Sequence, residues 1–124
     1  MTAAAKKILI VDDEAPMRAL LSDFFHSQGY AVSCAASGTA AMRHLDDDKK
    51  LCAVIADIRM VPLDGIELLK QIKKQYPQLP VLLFTAAGTP VEKREAIDLG
   101  AAHYLYKPFS LSELKRLLEE LTKS

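Results

Sequence analysis

Val54-Ile55-Ala56-Asp57-Ile58-Arg59-Met60, the stretch VIADIRM at 54–60, decides how this chain is read. With Ala53 before them, Val54 to Ala56 form an apolar or small run that meets a carboxylate, then a basic residue and a loop. A buried strand that ends in an acid presents that acid at the rim of a sheet. Asp57 is therefore the residue against which the rest of the chain is placed.

Working outward, four more apolar runs share this design. Ile8, Leu9, Ile10 and Val11 read as a strand buried on both faces, and it stops at Asp12, Asp13 and Glu14. Tyr30 to Ala35 is a weaker second strand. Val81 to Phe84 is a fourth that ends at Thr85, and His103 to Tyr106 is a fifth that ends at Lys107 and Pro108. Helical patterns lie between them. Pro16 suits a first turn, and Met17, Leu20, Leu21, Phe24 and Phe25 recur at three and four until Gly29. Ser37-Gly38-Thr39 opens a short helix through Ala41, Met42 and Leu45, and Asp46 to Lys50 reads as a solvated polar loop.

Past Asp57, Pro62 and the turn pair Asp64-Gly65 lead into a helix with Leu68, Leu69, Ile72 and Tyr76, and Pro77 and Pro80 bracket its exit. A helix across Val91, Ile97 and Leu99 closes at Gly100. Its apolar stripe is the weakest, so it is expected to be the most mobile or the most interactive. The last helix has Ser110 as N-cap with Glu113 three later, a capping box, and Leu111, Leu114, Leu117, Leu118 and Leu121 on one face. Strands alternating with helices predict an α/β fold, a single doubly wound five-stranded parallel sheet with helices on both faces.

At 124 residues the chain fits one domain, residues 1–124 with a core at about 6–121. A composition 50% apolar and 26% charged is that of a globular protein. Lys plus Arg equals Asp plus Glu, 16 against 16, so no global field draws nucleic acid or an anionic membrane. No apolar run reaches the roughly 20 residues of a membrane span, and MTAAAKK lacks a signal-peptide core, so a cytoplasmic protein is expected. Only Thr122, Lys123 and Ser124 follow the last helix, so no DNA-binding helix-turn-helix is expected within this chain. Cys34 and Cys52 are read as small buried hydrophobes rather than metal ligands. His26, His44 and His103 are read as packing or surface residues.

In doubly wound sheets ligands collect outside the carboxyl ends of the strands. Those ends carry Asp12 and Asp13, Asp57, Thr85 and Lys107. Two carboxylates about 4 Å apart repel by roughly 4 kcal/mol at an effective dielectric near 20, so three held together call for a cation, a proton or relaxation apart. All-oxygen ligation suits Mg²⁺ or Mn²⁺ better than zinc. A hard cation, an ammonium and a hydroxyl on one rim can stabilise a phosphoryl group, with Asp57 as the nucleophile that forms an aspartyl-phosphate. Ala86 and Ala87 leave room for a donor.

Taken together, ILIVDDE, VIADIRM, FTA and YLYKPF, in this order and spacing, resemble the receiver domain of bacterial two-component response regulators over roughly residues 6 to 121. The resemblance implies the flavodoxin-like strand order 2-1-3-4-5, a topology that the chemotaxis regulator exemplifies. It implies that Asp13, Asp57 and the backbone carbonyl of Arg59 bind Mg²⁺, with Asp12 helping through water, and that Lys107 bridges to the phosphoryl group. Thr85 resembles the switch hydroxyl, Tyr104 the switch aromatic that turns inward, and Pro108 a cis proline. The partner implied is a histidine kinase or phosphotransfer protein, and the surface that changes is the fourth helix, fifth strand and fifth helix. An output domain in a longer parent chain and a homodimer are further possibilities of the family.

Two positions depart from the family pattern. Val61 stands where Pro is common and Pro62 comes one later, which alters the loop that presents the Arg59 carbonyl. Ala102 and His103 replace a frequent acidic pair before Tyr104.

These readings lead to a phosphorylation-dependent switch, acting on itself through self-phosphorylation from a donor and autodephosphorylation rather than as an enzyme on an external substrate. The alternative is a degenerate receiver that serves as a phosphorylation-independent interaction module. A flavin or nucleotide enzyme on the same topology is disfavoured, since no G-x-x-x-x-G-K-[ST] or G-x-G-x-x-G follows the first strand.

Overall fold

The computed structural model describes residues 6–60 and 63–123, so the departure at Val61 and Pro62 lies outside the described residues. In chain order the elements are β1 (Lys7–Val11), α1 (Ala15–Ser27), β2 (Ala31–Ala35), α2 (Gly38–Asp47), β3 (Leu51–Asp57), α3 (Gly65–Gln75), β4 (Val81–Thr85), α4 (Pro90–Asp98), β5 (His103–Tyr106) and α5 (Leu111–Leu121). The five strands form one parallel sheet in the order β2-β1-β3-β4-β5.

The unbroken apolar runs exist because the sheet is covered on both faces. Leu9 and Val11 of β1, Val54 and Ala56 of β3, and Val81 and Leu83 of β4 point into one core with α2, α3 and α4. Ile8 and Ile10, Ala53 and Ile55, and Leu82 and Phe84 alternate into the other, against Leu21 and Phe25 of α1 and Leu114, Leu117 and Leu118 of α5. A strand with period two and two apolar neighbours must be apolar at every position.

Helix ends follow local chemistry. Asp64 and Ser110 accept from the backbone N–H groups of Glu67 and Glu113 at 2.9 and 3.0 Å. Gly29 and Gly100 end their helices at φ of 95° and 104°, a conformation that glycine adopts without steric cost. The Lys107–Pro108 bond is cis.

Three expectations are corrected and a fourth is refined. Leu20 is on the predicted apolar face of α1 yet 51% exposed, because the sheet covers only the stripe through Leu21 and Phe25. The run Asp46 to Lys50 is partly helical and partly paired: Asp48 meets Lys7, and Asp46 accepts from the Tyr76 hydroxyl. Cys34 and Cys52 are free and half-buried rather than buried, Cys34 lying on edge strand β2 and Cys52 near the start of β3. In α4 the apolar residues Val91 and Ile97 are 80% and 44% exposed, and Ala96 is the buried one. That last observation sustains the weak stripe read from the sequence and moves the helix's anchor to a smaller residue.

Candidate functional site

Register assembles the rim. Val11 pairs with Ala56, so Asp12 and Asp57 emerge side by side from the two central strands. Asp57 pairs with Phe84, and Thr85 follows, opposite Tyr106. Backbone hydrogen bonds carry the ladder past the strand ends, from Asp12 N to Ala35 O at 3.1 Å, Ile58 N to Phe84 O at 3.0 Å and Lys107 N to Thr85 O at 2.8 Å. The side chains that matter therefore project from a continuous hydrogen-bonded edge rather than from loose loops.

Asp57 is 3% exposed. One carboxylate oxygen accepts from the Arg59 backbone N–H at 3.1 Å, and the other faces Lys107 Nζ at 3.7 Å. The Lys107 ammonium is itself positioned over the Phe84 ring, 5.0 Å from its centroid. Carboxylate oxygens of Asp12, Asp13, Glu14 and Asp57 all come within 4.8 Å of one another. Asp12 is wholly buried. Its Oδ1 accepts from the Glu14 N–H at 2.8 Å, while Oδ2 is buried with no hydrogen-bond partner.

Such crowding shows in the acid strengths. Burial pushes the Asp12 carboxyl up to about 6, the Glu14 N–H pulls it down, and the Asp57 charge pushes it further up. Asp57 is also raised, chiefly by burial, with the Arg59 N–H and Lys107 opposing. Four acids against one lysine, one of them with a buried oxygen that has no partner, form a donor set that suits a hard divalent cation.

Thr85 is buried, and its hydroxyl oxygen accepts from the Ala87 N–H at 3.2 Å. Tyr104 is 4% exposed and lies inward under the loop between β4 and α4. The structure thus brings Asp12, Asp13, Asp57 and Lys107 into one cluster. Thr85 and Tyr104 stand on the next two strands, and Arg59 at the cluster's edge.

Several participants escaped the sequence reading. Glu14 joins the acids, a role its adjacency to Asp13 could have suggested. Arg18 of α1 holds the Asp12 carbonyl through Nη1 at 2.7 Å. A Cβ at Gly65 would lie 2.7 Å from both the Asp57 carbonyl oxygen and the Ile58 Cα, so the first turn of α3 presses directly on the backbone at Asp57.

A doubly wound five-stranded sheet of order 2-1-3-4-5, with acids, a hydroxyl and a lysine along its carboxyl rim, defines the receiver class of fold. The family model for the response regulator receiver domain matches residues 8–119, and the chain belongs to that family. It is 40% identical over 116 residues to the regulatory protein AtoC of Escherichia coli K12, covering 94% of this chain and 25% of that protein. To the alkaline phosphatase synthesis transcriptional regulatory protein PhoP of Bacillus subtilis it is 34% identical over 118 residues, 95% of this chain and 49% of the other. The chain thus spans half or less of the length of these relatives. Among solved structures, the chemotaxis protein CheY4 of Vibrio cholerae superposes with a TM-score of 0.88 at 31% identity, covering 95% of this chain and 99% of that one. A response regulator receiver protein from Pseudomonas putida gives 0.91 at 28%, covering 96% and 99%. Among the described residues no helix is long and apolar enough to cross a membrane.

Proposed function

We propose that the chain is a phosphorylation-dependent signalling switch whose acceptor is Asp57. The observation that carries this reading is a buried strand-end carboxylate, 3.7 Å from a lysine ammonium and within 4.8 Å of three other acids. An oxygen of Asp57 attacks the phosphorus of a donor, the bond to the donor's nitrogen or oxygen breaks, and the mixed anhydride remains on Asp57. Lys107, already facing Asp57, meets the charge on the transferred group, and the Thr85 hydroxyl is a donor for one of its oxygens. Water later returns the carboxylate and inorganic phosphate.

Asp12, Asp13, Asp57 and the Arg59 carbonyl would hold Mg²⁺ or Mn²⁺, with Glu14 near enough to assist. The cation supplies neutralisation of the acids and of the phosphoryl oxygens. The activity is confined to the protein's own Asp57, so we do not class it as an enzyme on an external substrate. A histidine kinase or phosphotransfer protein is the donor in the cytoplasm. The chain, read as one receiver domain, works alone, as a homodimer, or joined to an output domain in a longer protein.

Incubation with Mg²⁺ and acetyl phosphate or phosphoramidate is expected to add one phosphate by intact mass, and Asp57→Asn to add none. Equal uptake by Asp57→Asn would remove Asp57 from the role.

The alternative is a constitutive interaction module, in which Tyr104, 4% exposed, keeps its inward position throughout. Beryllofluoride with Mg²⁺ separates the two. A switch shifts the amide resonances around Thr85 and the α4–β5–α5 surface, and a constitutive module leaves them in place.

A further inference from the structure

Arg59 takes part in the acid site through its backbone, but its side chain leaves that site and crosses to the next loop. Nη2 donates to the Ala87 carbonyl at 2.7 Å and to Glu92 Oε1 at 3.1 Å, and Nη1 pairs with Glu92 Oε2 at 2.9 Å. Glu92 Oε1 also accepts from the Tyr104 hydroxyl at 2.8 Å. Glu92 is the third residue of α4, whose N-cap Thr89 accepts from the Glu92 N–H. A glutamate there ordinarily reaches back to the N-cap backbone. Here both of its carboxylate oxygens turn to Arg59 and Tyr104 instead.

An independent observation concerns the space this requires. Gly88 lies over the Tyr104 hydroxyl, so that a Cβ there would collide with it and would come within 2.7 Å of Thr85 Cγ2. Only a residue without a side chain leaves room for the inward ring at this height. The neighbouring Tyr106, by contrast, is 41% exposed.

We propose that Arg59 and Glu92 form a clasp that holds Tyr104 inward and ties the position of that ring to the loop carrying Asp57. Three segments meet in it. The guanidinium belongs to the segment after β3, the carboxylate to α4, and the hydroxyl to β5. The bidentate ion pair and the charge-assisted hydrogen bond are the stronger kinds of polar contact; the Arg59 side chain is 48% exposed, but the Glu92 carboxylate that both contacts share is 19% exposed and so is screened less. Any event that displaces the Arg59 backbone moves the guanidinium, loosens Glu92 and frees the tyrosine, and the reverse coupling holds as well. Arg59 and Glu92 are positioning residues in this scheme. The clasp is made by the chain's own side chains, so it goes beyond the phosphorylation reading and is tested without a phosphoryl donor.

The test is ¹⁹F NMR of the whole chain labelled with 3-fluorotyrosine, without Mg²⁺ or donor, the Tyr104 line being assigned by its loss in Tyr104→Phe. In Arg59→Met and in Glu92→Ala that line is expected to move toward its position in Gly88→Ala, and its H₂O/D₂O isotope shift to grow. The outward population should rise roughly five- to tenfold, as loss of one charge-assisted contact implies. Arg59→Lys, which keeps one ion-pair contact, should fall between. Lys70→Met, which removes the unrelated Lys70–Glu67 pair on α3, should leave the line unchanged. A Tyr104 line that keeps its wild-type position and isotope shift in both clasp variants overturns the proposal. Phosphate uptake is scored separately by mass, so a chain that shows the ¹⁹F response yet accepts no phosphate retains the clasp and loses the phosphorylation reading.

Discussion

Asp12 carries a carboxylate that the fold holds at a cost. It is wholly buried, one oxygen has no partner, and its carboxyl is pushed up to about 6 from an ordinary value near 3.8. Because the folded value is the higher one, protonation favours the fold: the contribution is complete below about pH 4 and is lost as pH rises through about 6. Asp57 is raised as well and acts in the same direction. Metal-free protein is therefore expected to resist urea better at pH 5 than at pH 7.5. Asp12→Asn should reduce that dependence and raise stability at pH 7.5 by about 1 to 2 kcal/mol. Urea titrations of both proteins at the two pH values measure this, and a wild type that weakens between pH 7.5 and 5 would contradict it. The same acidity predicts that Mg²⁺ binds less well below about pH 6, where protons compete for the buried oxygens.

At the scale of elements, the junction of β3 and α3 is the tightest part of the site. A methyl group at Gly65 must displace the Asp57 carbonyl or the Ile58 Cα, both backbone atoms, so Gly65→Ala is expected to cost about 2 kcal/mol or more. A loss under about 0.5 kcal/mol in chemical denaturation would show that the loop relaxes freely. The exposed face of α1 gives a second expectation. Leu20 lines a groove of about 360 Å³ with Met17, Phe109 and Leu111, beside Lys107, where a protein donor approaching Asp57 would seat an apolar surface. Leu20→Ser should leave uptake from acetyl phosphate unchanged and slow transfer from a protein donor severalfold; equal slowing with both donors would place its effect on the acceptor instead. Much of this architecture was legible from period and punctuation. The runs ending at Asp12, Asp57, Thr85 and Lys107 became strands, and Ser110 became a cap, because apolar runs and caps are local in sequence. Contacts made by long side chains were not legible: Arg18 of α1 reaching back to the Asp12 carbonyl, and Arg59 reaching Glu92 of α4, depend on where the helices set those side chains relative to the strand ends. Leu20 was misplaced because the helical period marks an apolar stripe without saying how far the sheet reaches across it.

Across the whole molecule, positive and negative charges balance at 16 each, so capture of a cation depends on the rim rather than on a global field. Asp12, Asp13, Glu14 and Asp57 attract it, and Lys107, 3.7 Å from Asp57, opposes it. A residue proposed to aid phosphoryl transfer is therefore expected to work against metal binding in the resting protein. Two consequences can be measured together. Mg²⁺ at a hundred times its dissociation constant should stabilise the fold by about 2.7 kcal/mol, since an ion held by oxygens from two strand ends has no comparable site in the unfolded chain. Lys107→Met should bind Mg²⁺ about three- to tenfold more tightly, because a competing charge close to Asp57 is removed, while phosphate uptake from acetyl phosphate falls by at least tenfold. Titration calorimetry and intact mass on one preparation read both quantities. If Lys107→Met bound Mg²⁺ more weakly than wild type, the ammonium would be organising the acids rather than competing for them, and its role would have to be reassigned from meeting the phosphoryl charge to holding Asp57 in place.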